Sequence, residues 1–423
     1  MKQPKVAVIG LGVGYALACC LAEAGYETVG VDIDPNRVAN PRKDPSVHRL
    51  LSNRRLKGRI DRNLTLTTNY GSIASCRYVV VCVSTGDEKK LLLGSVEVAV
   101  REILRVLRSR RMKSTPILMV YSTLPIGSSE RLRKIFREES VRIDHDVGYV
   151  HFPLMIAQGT IAEDFVNPPF VLFGSYEPTI AKRALAFYRG FLERSCLSRV
   201  RPSMFLGLPE EAEITKLAAN AFLTTKIALS NEIGELCERM GIDGQKVMSI
   251  VGSDWRIGRK FTRPGFAVGG QCFPRDLHSV IDTCMEHDLM PRILRAVEES
   301  NEARALDALD KISGHKVLVL GTSYKEGVEE ERGSKALNLV EGLRTKGYSV
   351  ETSDPKFSCG PSESGLLQCE TVIVTIPERA FEKLGESLSE SVKVVLDYAN
   401  IVNESYLPPC VRFWQAGRGW VRS

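Results

Sequence analysis

Among the 423 residues there is no CxxC pair and no group of histidines at metal-ligating spacing. No apolar run approaches the ~18 residues that a membrane span needs. The eleven cysteines, at 19, 20, 76, 82, 196, 237, 272, 284, 359, 369 and 410, are odd in number and irregular in spacing. That excludes a simple disulfide framework and, with no secretory leader legible, predicts a reducing cytoplasm. The six histidines are scattered, so no metal site is expected. The excess positive charge is only +6, which suits an anionic small molecule better than nucleic acid. What remains is an ordinary globular composition, 43% hydrophobic and 26% charged, at a length of two to three domains.

The most unusual stretch is Arg256–Asp276, RIGRKFTRPGFAVGGQCFPRD. Four of the seven residues from Pro264 to Gly270 are glycine or proline, so a shaped loop is expected rather than a helix. Glycines let a backbone approach a ligand closely. Cys272 follows, with Asp276 four residues on. That pair reads either as a nucleophile with a base or orienting group, or as a buried structural cysteine in a tight turn. The residues alone leave both open.

The N-terminus opens on a buried-strand pattern, Lys5–Ile9, then Gly10, Gly12, Val13 and Gly14, then a small-residue helix, Tyr15–Ala24. A second strand, Glu27–Val31, ends on Asp32. This is a β-turn-α-β unit with its acidic residue at the spacing that holds an adenosine ribose. The glycines would bring backbone N–H groups to a pyrophosphate at a helix N-terminus. Asp32 favours NAD over NADP, since a 2′-phosphate would be repelled. In a GxGxxG frame from Gly10, Tyr15 takes the third glycine's place and Gly14 stands one residue early. The basic run from Arg37 through Arg42, Lys43, Arg49, Arg54, Arg55, Lys57 and Arg59 to Arg62 is read as a solvated face.

Further strands are expected at Tyr78–Val83, Ile117–Tyr121, 146–158 and Phe170–Gly174, with Thr85 and Thr123 at strand ends where cofactors bind. Glu210–Met240 reads as one long helix on which Lys216 and Asn220 share a face. Helices at Asp243–Ile250 and Leu277–Ser300 flank the opening stretch. From Gly314 a second α/β unit begins, with strands His315–Leu320, Tyr348–Thr352, Glu370–Ile376 and Val392–Leu396. Its first turn lacks paired glycines. The expected class is α/β, with two Rossmann-like doubly wound domains, 1–200 and 306–423, joined by a central helical region, 201–305.

Four anchors then resemble one family. PGFAVGGQCFPRD, EITKLAANAFLTTKIALSNE, STLPIGSS and GTSYKEGVEEERGS are similar, in order, to the catalytic loop, central helix, cofactor-side turn and nucleotide-sugar signature of the UDP-glucose/GDP-mannose dehydrogenases. The resemblance covers nearly the whole chain. It implies NAD-dependent four-electron oxidation of a nucleotide-sugar C6 hydroxyl to a carboxylate, for polysaccharide precursors, by a homodimer. Cys272 would capture the C6 aldehyde as a thiohemiacetal and pass through a thioester. Lys216 and Asn220 would stabilise the oxyanions, and Asp276 with Thr123 would handle protons through a water. Phe261, Gly265, Gly269 and Gly270 would shape the sugar pocket. Arg256 resembles an arginine that reaches the neighbouring subunit's substrate, and Lys325 and Arg332 would meet the diphosphate.

Departures from the family pattern are specific. Leu154 and Gln158 replace two glutamates, the first tied to thioester hydrolysis. Arg275 replaces a lysine, Ala399 an arginine, and Ser84-Thr85-Gly86 a proline-bearing turn. UDP-glucose is the expected substrate, from RIG and CFPRD. GDP-mannose follows, from PGFAVGG and KLLLGSVE, with UDP-N-acetylmannosamine third. A nucleotide-sugar-binding homologue with impaired catalysis and a single-oxidation hydroxyacid dehydrogenase are the competing readings.

Overall fold

The computed structural model describes residues 3–41, 44–86, 90–108, 114–357 and 368–422. Arg42, Lys43 and Cys359 lie outside them. The chain divides into two compact units, Met1–Leu217 and Ala218–Ser423.

The first unit runs β1 (Val6–Ile9), α1 (Gly14–Glu23), β2 (Thr28–Val31), α2 (Pro35–Ala39), α3 (Pro45–Ser52), α4 (Arg54–Asn63), β3 (Leu64–Thr67), β4 (Tyr78–Val81) and α5 (Gly94–Arg108). It continues through β5 (Ile117–Val120), α6 (Ser128–Glu138), β6 (Gly148–His151), α7 (Ile161–Val166), β7 (Phe170–Gly174), α8 (Pro178–Arg194) and β8 (Ser203–Gly207) into α9 (Pro209–Met240). The strands form one sheet in the order β3-β2-β1-β4-β5-β6-β7-β8, parallel except between β6 and β7. The central strands read as unbroken apolar runs because both faces are covered. Val6 and Val8 enter one core cluster, Ala7 and Ile9 the other. Strand order reverses between β1 and β4, and the crevice at that reversal is where a doubly wound sheet binds its ligand. α1 is buried along its whole length, which its alanines and Gly14 permit. The basic run forms three short helices, two of them capped by Asp34 and Asp44, and Asn53 caps the third.

α9, 32 residues long, starts in the first unit and ends in the second. The second unit continues with α10 (Gly244–Val251), α11 (Cys272–Glu286), α12 (Arg292–Leu306), β9 (Lys316–Leu320), α13 (Lys335–Thr345), β10 (Ser349–Ser353), β11 (Thr371–Val374), β12 (Val394–Asp397), β13 (Arg412–Gln415) and β14 (Gly419–Arg422). Its sheet order is β10-β9-β11-β12-β13-β14, with only the last pair antiparallel. Alternation again feeds two cores: Leu318 and Leu320 on one side, Val317 and Val319 on the other.

The sequence placed the start of a helix at Leu277, whereas α11 begins at Cys272. Pro274 does not prevent this, because a proline in the first helical turn removes an N–H that has no intrahelical partner there. Edge strands β3 and β8, both partly exposed, went unread, as did β13 and β14.

At the end of β12, Asp397 organises the following turn by accepting hydrogen bonds from Val402 N (2.9 Å), Ala399 N (3.1 Å) and Gln415 Nε2 (3.1 Å). Burial pushes its carboxyl up to about 6 against those bonds. Between about pH 4 and about pH 6 the folded state therefore keeps a proton that the unfolded chain has released, and stability from this group falls as pH rises, by roughly 3 kcal/mol in all. Urea unfolding of wild type and Asp397→Asn across that window should show the wild-type advantage declining with pH. A pH-independent difference would contradict this.

Candidate active site

In the first unit the sequence-predicted cofactor residues meet at the strand reversal. Gly10 follows β1 with φ +92°, and a Cβ there would lie 2.9 Å from the carbonyl oxygen of Cys82, which follows β4. This backbone-to-backbone approach and left-handed φ together require glycine. A Cβ on Gly14 would lie 2.8 Å from the Cys82 Cβ and 3.0 Å from Val8. Gly14 thus provides the close helix–strand packing usually given to the third glycine, one residue early. Gly12 has nothing within 4 Å of a Cβ, so the space beside it is open at the start of α1, where Val13 is exposed. Helix N-terminal amides facing open space suit a pyrophosphate. Asp32, nearly fully buried, accepts Leu11 N at 2.7 Å and Asp34 N at 3.0 Å. Its carboxylate sits at the end of β2, where a ribose would lie. Thr85 follows β4 and is buried. Thr123 follows β5, in a turn tied to the β4 turn by Ser122 Oγ donating to Val83 O at 2.7 Å. This set of residues fits a dinucleotide.

In the second unit, Cys272 is exposed and is the first residue of a 15-residue helix. Asp276 is one turn along α11 and completely buried. It accepts Asn220 Nδ2 from α9 at 2.6 Å and pairs with Arg275 at 3.3 Å. An amide nitrogen carries two N–H donors, so orientation by Asp276 is compatible with a second bond to an oxyanion. Lys216, one turn before Asn220 on α9, is buried as well.

The loop before Cys272 is held by side chains. Asn231 Oδ1 accepts Gly265 N at 2.8 Å. Arg304 Nε donates to Gly265 O at 2.9 Å. Asn301 bonds both ways to Val268, accepting its N–H at 2.7 Å and donating to its carbonyl at 3.0 Å. Gln245 donates to Pro264 O at 2.7 Å. The paired glycines then pass over the β9–α13 connection. Gly270 N donates to Gly333 O at 2.8 Å, and a Cβ on Gly270 (φ +85°) would lie 2.5 Å from the Tyr324 ring. A Cβ on Gly269 would lie 2.9 Å from Gly333 O. The glycine-rich loop is thereby built onto the segment that carries Lys325 and Arg332, both exposed. Arg332 pairs with Glu330 at 2.5 Å.

Arg256 pairs with Asp254 at 2.5 Å and is otherwise exposed. Phe261 has φ +65°, a conformation that costs a bulky residue energy, and lies 6.2 Å from the Phe273 ring. Lys226 anchors this loop by donating to Ile257 O (2.9 Å) and Lys260 O (2.7 Å).

Three family descriptions match in order: the NAD-binding domain over residues 4–192, the central domain over 210–303 and the UDP-binding domain over 318–404 of the UDP-glucose/GDP-mannose dehydrogenase family. The chain belongs to that family. Its cofactor is NAD, and it is an NAD-dependent nucleotide-sugar dehydrogenase. It is 32% identical to a UDP-glucose 6-dehydrogenase of Pseudomonas aeruginosa over 377 residues, 84% of this chain and 80% of that one. A GDP-mannose 6-dehydrogenase of Pseudomonas putida is 29% identical over 363 residues, 83% and 80% of the two chains. Among solved structures, a UDP-glucose dehydrogenase from Pyrobaculum islandicum superposes with TM-score 0.82 at 26% identity, covering 99% and 98%. A UDP-D-ManNAc dehydrogenase from Pyrococcus horikoshii gives 0.83 at 26%, covering 98% and 99%.

Within this dehydrogenase, Lys226, Gln245, Asn301 and Arg304 were missed by sequence reasoning. The available signal was weak: polar residues on helices flanking a glycine-rich loop that has no strand to pair with.

Two glycine substitutions separate fold from cofactor. Gly12→Ala should leave the melting temperature within about 2 °C, since no atom stands nearby, while weakening NAD binding severalfold by calorimetry. Gly10→Ala should destabilise by more than about 1 kcal/mol, as expected for a non-glycine residue forced to positive φ. Equal melting temperatures for the two variants would refute the assignment.

Proposed function

We propose that the protein oxidises the C6 hydroxyl of a nucleotide sugar to the carboxylate, with UDP-glucose as the leading substrate, to supply a sugar acid for polysaccharide synthesis. The observation that carries this reading is Cys272 at the start of α11, one turn from the buried Asn220–Asp276 pair. Relatives acting on UDP-glucose and the CFPRD and RIG segments support UDP-glucose. GDP-mannose relatives and the PGFAVGG segment keep that sugar next.

NAD, when bound, supplies the hydride acceptor at each of the two oxidation levels, a separate NAD being reduced to NADH each time. Cys272 Sγ bonds to C6 at the aldehyde level, giving a thiohemiacetal with an oxyanion beside the N-terminal amides of α11. Asn220, oriented by Asp276, donates a hydrogen bond to that oxygen, and Lys216 adds a cation from the same helix face. At the next oxidation level C6 is a thioester to Cys272, and water oxygen then replaces sulfur, releasing the carboxylate and the thiol. A thiol suits both steps, because sulfur adds readily and leaves readily. Asp276 takes and returns protons, and Lys325 and Arg332 meet the diphosphate.

A second reading is favoured by Leu154. This side chain packs with Ile156 against the apolar core of the first unit, so the place of the family's hydrolytic glutamate offers no proton acceptor. The enzyme would then stall at the thioester. NADH formation and intact protein mass, followed with NAD and each of UDP-glucose, GDP-mannose and UDP-N-acetylmannosamine, decide between them. Two NADH per sugar consumed supports full oxidation. One burst with a sugar adduct on Cys272 supports the stalled form. No NADH with any sugar overturns both. Cys272→Ser should lower turnover by at least about 10³-fold if sulfur is the nucleophile, and unchanged turnover would sink the covalent route.

A homodimer is supported by the exposed face of α9. Phe222, Leu229 and Leu236 recur at intervals of seven, each more than half exposed, with Met240 beyond them. A sustained apolar stripe of this kind is uncommon on a monomer. The eleven cysteines are odd in number and form no CxxC pair, which supports a cytoplasmic location. Leu229→Glu should shift the species seen by light scattering from dimer to monomer. A wild-type monomer would remove the proposal.

A further inference from the structure

α6 begins without a capping side chain of its own. Its N-cap is Gly127, at φ +85°, so the first amides of this 11-residue helix need partners from elsewhere. Glu213, from the first turns of α9, supplies them. Its Oε2 accepts Gly127 N at 2.7 Å, and its Oε1 accepts both Ser129 N and Ser129 Oγ at 2.6 Å. Ser129 Oγ also meets the Tyr149 hydroxyl at 2.9 Å. The carboxylate is fully buried, and burial raises it above the ordinary range while the Ser129 and Gly127 bonds oppose the rise. Burying a carboxylate is expensive, and several charge-assisted bonds are needed to offset the cost. A local Ser or Asp at the N-cap would have capped α6 at far smaller expense.

What the distant carboxylate adds is a fixed distance. The turn it grips, residues 122–127, carries Thr123, and its other end is held by Ser122 on Val83. Glu213 lies one helical turn before Lys216, on the same face of α9. We infer that Glu213 is a positioning residue, which fixes the Thr123 turn at the cofactor edge of the first sheet to the start of the helix bearing Lys216. This rests on the proposed role of Thr123 and Lys216 in a nucleotide-sugar oxidation, but its test does not require turnover.

The test is a double-mutant cycle on NAD affinity, read by calorimetry with the full chain, on wild type, Glu213→Gln, Thr123→Ala and the double variant. The Gln variant keeps the shape but turns an N–H₂ group toward one of the two backbone donors. It should weaken NAD fivefold or more, and the double variant should bind no more weakly than Thr123→Ala alone, because both act through one group. Where a sugar turns over, kcat should fall in the Gln variant with its sugar KM within about threefold. Multiplying effects in the double variant, or an NAD affinity within twofold of wild type beside a lowered melting temperature, would reduce Glu213 to a helix cap and overturn the inference. Should Glu213→Gln fail to fold, Glu213→Asp, one methylene short of Gly127, reads the same cycle. Absence of turnover with every sugar, with the NAD cycle still non-additive, would refute the proposed reaction and leave this inference standing.

Discussion

A glycine-rich loop that leads into an exposed cysteine is neither strand nor helix, yet its backbone polar groups must still be met. The segment 264–270 resolves this with side chains: Asn231, Gln245, Asn301 and Arg304 each bond a specific amide or carbonyl. Arg304 is the centre of that support. It is almost fully buried, bonds Asp307 at 3.0 Å and lies 5.1 Å over the Tyr398 ring. Tyr398 in turn donates to Asp307 at 2.8 Å. Burial opposes the charge on Asp307, but Arg304 and Lys311 outweigh it and hold the carboxyl low. A buried cation is tolerable here because carboxylate, carbonyl and aromatic face all point at it. The loop's geometry is therefore set by helices on either side of it.

The same arrangement explains where the sequence was readable. The β1-turn-α1-β2-Asp32 unit was legible because strand periodicity, glycine position and the terminal carboxylate are all local. Gly14, out of frame as a pattern, acquires its reason only from Cys82, distant in sequence and close in space. The start of α11 was misplaced because Pro274 and the preceding glycines look like loop, whereas the first helical turn accepts proline. Asn220 and Asp276 were each picked out, and their mutual bond gives the pair its meaning. Asn301 and Arg304 resembled any polar helix face, since their partners are main-chain atoms that no side-chain pattern advertises. Glu213 was hidden in the same way, lying within a quoted anchor but bonded to Gly127 and Ser129 far upstream.

Family membership and departure from the family's residues meet at Leu154. The fold around it is that of a dehydrogenase, and the residue has joined the apolar cluster beneath it. In the proposed reaction, hydrolysis of the thioester then has to find its proton acceptor on another element or stop short. Of the departures, Leu154 bears on the last step of the proposed sequence, while Arg275, within the proposed catalytic loop, is a separate one.

The two halves of the chain share one small device. Asp32 Oδ2 accepts Leu11 N at 2.7 Å, and in the second unit Asp354 Oδ2 accepts Ser323 N at the same 2.7 Å. Their other oxygens accept Asp34 N at 3.0 Å and Lys356 N at 2.8 Å. Since the second turn lacks the paired glycines, the carboxylate at the end of the second strand is first a brace for the turn, and the ribose contact proposed for Asp32 is additional to that. Retooling Asp32 to admit a phosphorylated cofactor would therefore cut the brace along with the proposed selectivity. A successful redesign would have to re-anchor the Leu11 amide before it changed the charge.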